Sequence, residues 1–154
     1  MSLTLHGVHP LEQLSSLPVE VHEEGSLVLA AGAATGKLLI MKEGAVEVVI
    51  EGTRVAEVRE PGAVFGEIAL LLGRPHGADV RALRRSTFHV ADGPSYLRAD
   101  PAAALYLAVV LAQRVAAVDR HLVAARQELR SGSRGVVDEM IDNLAATLRY
   151  GPPL

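Results

Sequence analysis

Six glycines, at positions 25, 32, 36, 44, 52 and 62, cut residues 20–92 into apolar runs too short to be helices. The runs are Ser26–Leu29, Lys37–Lys42, Ala45–Glu51, Arg54–Val58, Asp79–Leu83 and Thr87–Val90. Glycine supplies the positive φ of tight turns, so short runs between close glycines predict antiparallel strands. In one run the period is two: Val46, Val48 and Ile50 alternate with Glu47, Val49 and Glu51, leaving one wetter face. Many short strands with close turns build a small barrel or sandwich, so this half is expected to be all-β.

From residue 101 the periodicity becomes helical. Pro101 suits a first helical turn and Asp100 precedes it as an N-cap. Ala104, Ala108, Leu111, Val115, Val118, Leu122, Ala125 and Leu129 follow with a 4-3-4-3-4-3-4 spacing. That seam predicts one helix over 101–130, with roughly 40 Å of it at about 1.5 Å per residue along the heptads. Leu105, Leu107, Val109 and Val110 widen the apolar face in the first half, as packing on the chain's own barrel requires. The second half narrows to the seam, flanked by Arg114, Asp119, His121, Arg126 and Glu128. A parallel homodimer through Ala108, Leu111, Val115, Val118, Leu122, Ala125 and Leu129 is expected, with Arg114 facing Asp119 of the partner. Such an exposed pair contributes under about 1 kcal/mol and sets register more than stability.

Both ends are shorter segments. Pro10, Leu11 and Leu14 predict a helical turn that ends at Leu17-Pro18. Ser131–Gly135 reads as a hinge, and Val136, Val137, Met140, Ile141, Leu144 and Leu148 as a last amphipathic helix within 131–154. The expected division is therefore a domain over 1–130 followed by hinge and helix.

Composition narrows the chemistry. The chain has 154 residues, no cysteine and a formal charge of −3, so a disulfide framework and a thiolate zinc site are excluded. Mild acidity and 3% aromatic residues argue against nucleic-acid binding by charge or base stacking. The N-terminus lacks a basic, then apolar, leader, and the uninterrupted apolar stretch from Pro101 to Ala112 is short for a bilayer. The expectation is a cytoplasmic protein without membrane contact. His6 and His9 have a metal-like spacing but no third ligand nearby, so no metal is expected. No Ser-His-Asp spacing, paired-carboxylate cleft or P-loop lysine motif points to an enzyme.

The chemistry-bearing stretch is Phe65-Gly66-Glu67-Ile68-Ala69-Leu70-Leu71-Leu72-Gly73-Arg74-Pro75-His76-Gly77-Ala78-Asp79-Val80. Gly66 permits close backbone approach and opens a short helix over 67–71, whose first amides lack intrahelical partners. Glu67 is there either a helix-dipole partner or an acceptor for ligand hydroxyls. This stretch, with the resumed strand Val80-Arg81-Ala82, resembles the phosphate-binding cassette of cyclic nucleotide-binding domains. Those are the sensors of catabolite activator-type regulators, protein kinase A regulatory subunits and nucleotide-gated channels. Gly32, Gly44 and Gly62 agree with that family's turns, and Ile40–Glu47 resembles its central hairpin. The resemblance covers roughly residues 17–130.

It implies an α+β fold: an antiparallel, jelly-roll-like β-roll with a short N-terminal helix, a cassette helix and a long C-terminal dimerisation helix. It also implies a cyclic AMP or cyclic GMP site at Gly66, Glu67, Ile68, Ala69, His76, Gly77 and Ala78, with no cofactor required. Glu67 matches the glutamate that takes the ribose 2′-hydroxyl, and Ala69 the small residue beside the cyclic phosphate. The family's phosphate arginine follows the proline, where this chain has His76. Arginine grips two phosphate oxygens with a permanent charge, whereas histidine offers one donor and has a reference pKa of about 6.5. Asp79 replaces a neutral residue and would repel phosphate if it faced inward, although strand alternation turns it away. Arg74, Gln113 and Arg114 are possible accessory contacts, because the long helix offers no Ser or Thr from Leu97 through Arg130.

The leading expectation is a stand-alone, non-catalytic sensor that binds cyclic nucleotide weakly and acts on an unknown effector protein. If His76 holds the phosphate, affinity rises toward pH 6 and His76→Arg strengthens it. Two alternatives stay open: a non-binding dimeric interaction module, and a catabolite activator-type transcription regulator lacking its DNA-binding domain. Only 24 residues follow Arg130, so direct DNA binding is not expected. A haem or metal sensor using His76, His89 or His121 ranks below these.

Overall fold

The computed structural model describes residues 14–130. The expected turn at Pro10, the paired His6 and His9, and the expected hinge and helix over 131–154 lie outside the described residues.

Eight strands come first: β1 (Val19–His22), β2 (Leu27–Leu29), β3 (Lys37–Glu43), β4 (Val46–Ile50), β5 (Thr53–Val58), β6 (Val64–Phe65), β7 (Asp79–Ala82) and β8 (Ser86–Asp92). Helix α1 (Glu67–Leu72) interrupts them between β6 and β7, and α2 (Gly93–Ala99) and α3 (Pro101–Arg130) follow. One antiparallel sheet has the order β1-β8-β3-β6 and the other β2-β7-β4-β5. This is the α+β roll that the glycine spacing and the resemblance imply.

Their inner faces make one core. Leu39 and Met41 of β3, Phe65 of β6, and Phe88 and Val90 of β8 meet Leu29, Val46 and Val80 of the other sheet. The chain's two phenylalanines, Phe65 and Phe88, pack edge to face at 6.0 Å. In β3, Leu38, Leu39, Ile40 and Met41 are all buried, because this strand is covered on both faces. Its outer side, with Val64, packs against Leu14, Tyr96, Ala103, Tyr106 and Leu107. The Tyr106 hydroxyl donates to the Gly62 carbonyl at 3.0 Å, tying the start of α3 to the roll.

The β4 alternation fades along its length: Val46 is fully buried, but Ile50 is 42% exposed where the strand reaches its turn. Three elements carry little sequence signal. β1 is four residues with two polar side chains, β6 is two residues, and α2 opens on Gly93-Pro94. Pairing of Val19 with His89 and of Leu39 with Phe65 sets the two strands, so tertiary context decides them.

Helix α3 begins as expected: the Asp100 carboxylate accepts the Ala102 amide at 2.9 Å and the Ala103 amide at 3.3 Å. Ala103 and Leu107 form its core-facing stripe, while Leu105 is 45% exposed. Of the wide apolar face expected through Leu105, Leu107, Val109 and Val110, Leu107 is buried, Val109 and Val110 are half-buried, and Leu105 alone is exposed. The chain divides into two compact units, residues 1–107 and 108–154, so α3 belongs to both. Within the second unit, Leu111, Leu122, Ala125 and Leu129 are half-buried, and Ala108, Val115 and Val118 are exposed. An 18-residue window of α3 has a mean hydropathy of 1.7, so by length and composition alone it could cross a membrane. The uninterrupted run to Ala112 understates this, because apolar residues continue past Gln113-Arg114.

Two sites in the roll give direct tests. Gly44 has φ +128, and a Cβ there would lie 2.2 Å from Ser86 Oγ and 2.6 Å from Ser86 Cα. Ser86 cannot yield: it is fully buried, accepting the Ala45 amide at 3.0 Å and donating to the Arg84 carbonyl at 2.8 Å. Gly44→Ala is expected to cost more than about 1 kcal/mol in denaturant unfolding, through strain and loss of these bonds. His89 points away from the core between Phe88 and Val90, and its buried Nδ1 has no hydrogen-bond partner among the described residues. Burial, helped by the Lys42 charge, holds its pKa below the usual imidazole value. A base depressed in the folded state favours unfolding once protonated, so its stabilisation is present above about pH 6.5 and lost as pH falls. The melting temperature of His89→Gln should therefore decline less than that of the parent from neutral pH to about pH 5.

Candidate functional site

Helix α1 is held at both ends by left-handed glycines. Gly66, its N-cap, has φ +88, and a Cβ there would sit 2.4 Å from the Lys37 carbonyl oxygen. Only glycine lets α1 start this close to β3. Gly73 ends the helix with φ +60, and its amide and that of Arg74 both return to the Ala69 carbonyl. The chain then passes through Pro75 and His76 into β7.

The loop between β2 and β3 is fastened to this return. The Ala31 amide donates to Asp79 Oδ1 at 2.7 Å and the Gly32 amide to the His76 carbonyl at 2.8 Å. The His76 amide donates to the Ala33 carbonyl at 2.9 Å, and His76 Nε2 is 2.9 Å from Thr35 Oγ1. Thr35 Oγ1 also accepts the Lys37 amide at 3.2 Å, and the Gly93 amide reaches the Gly36 carbonyl at 3.0 Å. Between loop and helix lies a cavity of about 260 Å³, lined by Ala34, Thr35, Gly36, Gly66, Ala69, Leu70, Gly73, Arg74, Pro75 and His76.

The structure brings Gly66, Ala69, Arg74 and His76 of the expected residues to this cavity. Glu67 is buried in the first turn of α1, only 3% exposed, but is not part of the cavity lining. Ile68 is half exposed, Gly77 is exposed and Ala78 is half-buried, and none of the three lines the cavity. Gln113 and Arg114 belong to the second unit. Asp79 is turned to the loop amide, so its charge serves as a backbone acceptor. His89 lies on the outer side of β8 and His121 on α3, apart in sequence and element from His76.

Sequence reasoning missed the opposite wall, Ala34, Thr35 and Gly36. Its only trace is the Gly32–Gly36 stretch before β3, which reads as an ordinary turn. Chemically the lining is mostly small residues that bring backbone close, with a hydroxyl, an imidazole and a guanidinium, and no carboxylate. Such a lining suits a compact anionic ligand.

The model of the cyclic nucleotide-binding domain matches residues 19–98, just over half of the chain. This chain belongs to the cyclic nucleotide-binding domain family. Among solved structures, the Thermus thermophilus catabolite activator protein is similar at 24% identity and a TM-score of 0.64, over 83% of this chain and 71% of that one. A cAMP-bound PfPKA-R matches at 18% identity and TM-score 0.53, over 75% of this chain and 36% of its own. The CBD2 domain of a PKAR bound to Sp-2Cl-cAMPS matches at 18% and 0.51, over 75% and 70%. These likenesses establish the fold.

Gly66→Ala is expected to destabilise the domain by about 1–2 kcal/mol from the left-handed backbone alone, before the clash with Lys37 is counted. Asp79→Ala should speed hydrogen exchange at the Ala31 amide while leaving exchange in β3 and β8 unchanged. Equal exchange at Ala31 in both proteins would remove Asp79 from its place as loop anchor.

Proposed function

We propose that this chain is a non-catalytic regulatory module that binds cyclic AMP or cyclic GMP weakly in the cavity between α1 and the 31–36 loop. Membership of the family and the place of that cavity beside the Gly66–Gly73 helix support the reading. The observation that carries the weakness is His76 after Pro75: one imidazole stands where the family places a forked, permanently charged arginine. Occupancy acts by biasing the pose of the long helix, and by linkage it shifts that equilibrium only by its difference in affinity between poses. The readout passes to an effector protein. Calorimetry at neutral pH is expected to give dissociation constants weaker than about 1 µM for both nucleotides. Tighter binding would overturn the weak-sensor reading, and no heat at high ligand concentration would favour the non-binding interaction module.

The same reading makes the module a homodimer through α3. Val115 and Val118, 41% and 39% exposed, stand on the heptad seam with Leu111 and Leu122, and a second helix would cover them. Sedimentation without detergent should give a dimer, and Val118→Asp a monomer that still folds. A protein recovered only in detergent would instead assign the helix to a bilayer.

A further inference from the structure

The cavity has two side chains able to carry positive charge, and the structure uses them differently. His76 is 7% exposed and bound on three sides. Its amide and carbonyl are both spent on Ala33 and Gly32, and its Nε2 meets Thr35 Oγ1. Thr35 Oγ1 is itself held by the Lys37 amide, so the pair forms a fixed link from the cavity floor to the opposite loop. Gly66 packs beside the ring: a Cβ there would lie 3.6 Å from His76 Cε1. A histidine so enclosed keeps the loop closed. To grip a phosphate with Nε2 it would have to release Thr35.

Arg74 is in the opposite situation. It lines the same cavity and is exposed, and its backbone is fixed by the hydrogen bond from its amide to the Ala69 carbonyl. Among the described residues its side chain has no carboxylate or carbonyl partner, whereas Arg54, Arg59, Arg81, Arg84 and Arg85 each have one. Pro75 disfavours the helical region for the backbone of Arg74, which narrows where its side chain can start.

We infer that Arg74 is the residue that binds the anionic group of the ligand, and that His76 is a positioning residue holding the 31–36 loop through Thr35. This deepens the function proposed above and rests on it for the ligand class, an organic phosphate. The cation has moved two residues, from behind the proline to in front of it. An exposed arginine is screened by salt, so binding weakens as ionic strength rises.

The test titrates the full chain with cyclic AMP and, separately, with inorganic phosphate, followed by amide NMR. Both are expected to shift the amides of residues 34–36 and 73–76. Arg74→Ala should weaken binding by about tenfold or more, with a smaller loss for Arg74→Lys. His76→Gln should weaken it less than Arg74→Ala does. In the free protein, Thr35→Val should speed amide exchange over 31–36, and Thr35→Ser should restore it. A larger loss in His76→Gln than in Arg74→Ala overturns the assignment of Arg74 while the cyclic nucleotide reading stands. Phosphate binding that needs Arg74, with no response to cyclic AMP, upholds Arg74 and overturns the nucleotide. Silence toward both ligands overturns both, and unchanged exchange in Thr35→Val removes the positioning role of His76.

Discussion

Everything at the candidate site depends on the stitching of the 31–36 loop to the return from α1 into β7. Two backbone bonds between Gly32, Ala33 and His76, and two side-chain bonds from Asp79 and Thr35, join segments more than 40 residues apart. Each bond contributes only about 1 kcal/mol net, but their partners would be desolvated and unsatisfied if the loop stayed closed without them. The loop is therefore closed as a unit or not at all. The cavity exists because this seam sets a wall of small residues opposite α1.

The seam in turn needs the rigid roll behind it. Phe65 ends β6 in the core and Gly66 turns the chain into α1, so the helix start is fixed one residue after a buried aromatic. Lys37 begins β3 directly beneath Gly66, and its carbonyl excludes any side chain there. On the same strand, Leu39 and Met41 are locked into the core against Phe88 and Val90. A short helix of six residues has little stability of its own. Here its geometry is inherited from the core on one side and from two left-handed glycines at its ends.

Much of the fold was legible in the sequence because its signals are local. Close glycines mark turns, β-rich runs mark strands, and the seam from Pro101 to Arg130 marks the whole of α3. β1, β6 and α2 were not legible, since their residues are unremarkable until β8, β3 and α1 pack against them. At the site, Gly66 and Ala69 could be read from the cassette pattern, because that pattern is contiguous. Thr35 could not: nothing in Thr-Gly-Lys announces a bond to a histidine 41 positions later. The sequence also raised Asp79 as a possible source of repulsion, and its accepting bond from Ala31 shows where that charge is used.

The position of the cation decides what kind of sensor such a pocket makes. An arginine buried beneath a ligand loses its water once, on folding, and then offers a prearranged fork. An arginine on an exposed turn keeps its water until the ligand arrives and must order its side chain at that moment, at about 0.5–1.5 kcal/mol. With His76 committed to the loop, the role proposed for Arg74 would give this chain the second arrangement. On that proposal, affinity is limited by the cost of ordering Arg74 and by salt, while the walls of the pocket stay preformed. A weak, preformed site responds only when its ligand is abundant, and it releases quickly when the concentration falls. On the proposed reading, histidine in place of arginine behind Pro75 sets the concentration at which the module answers, while the fold remains the family's.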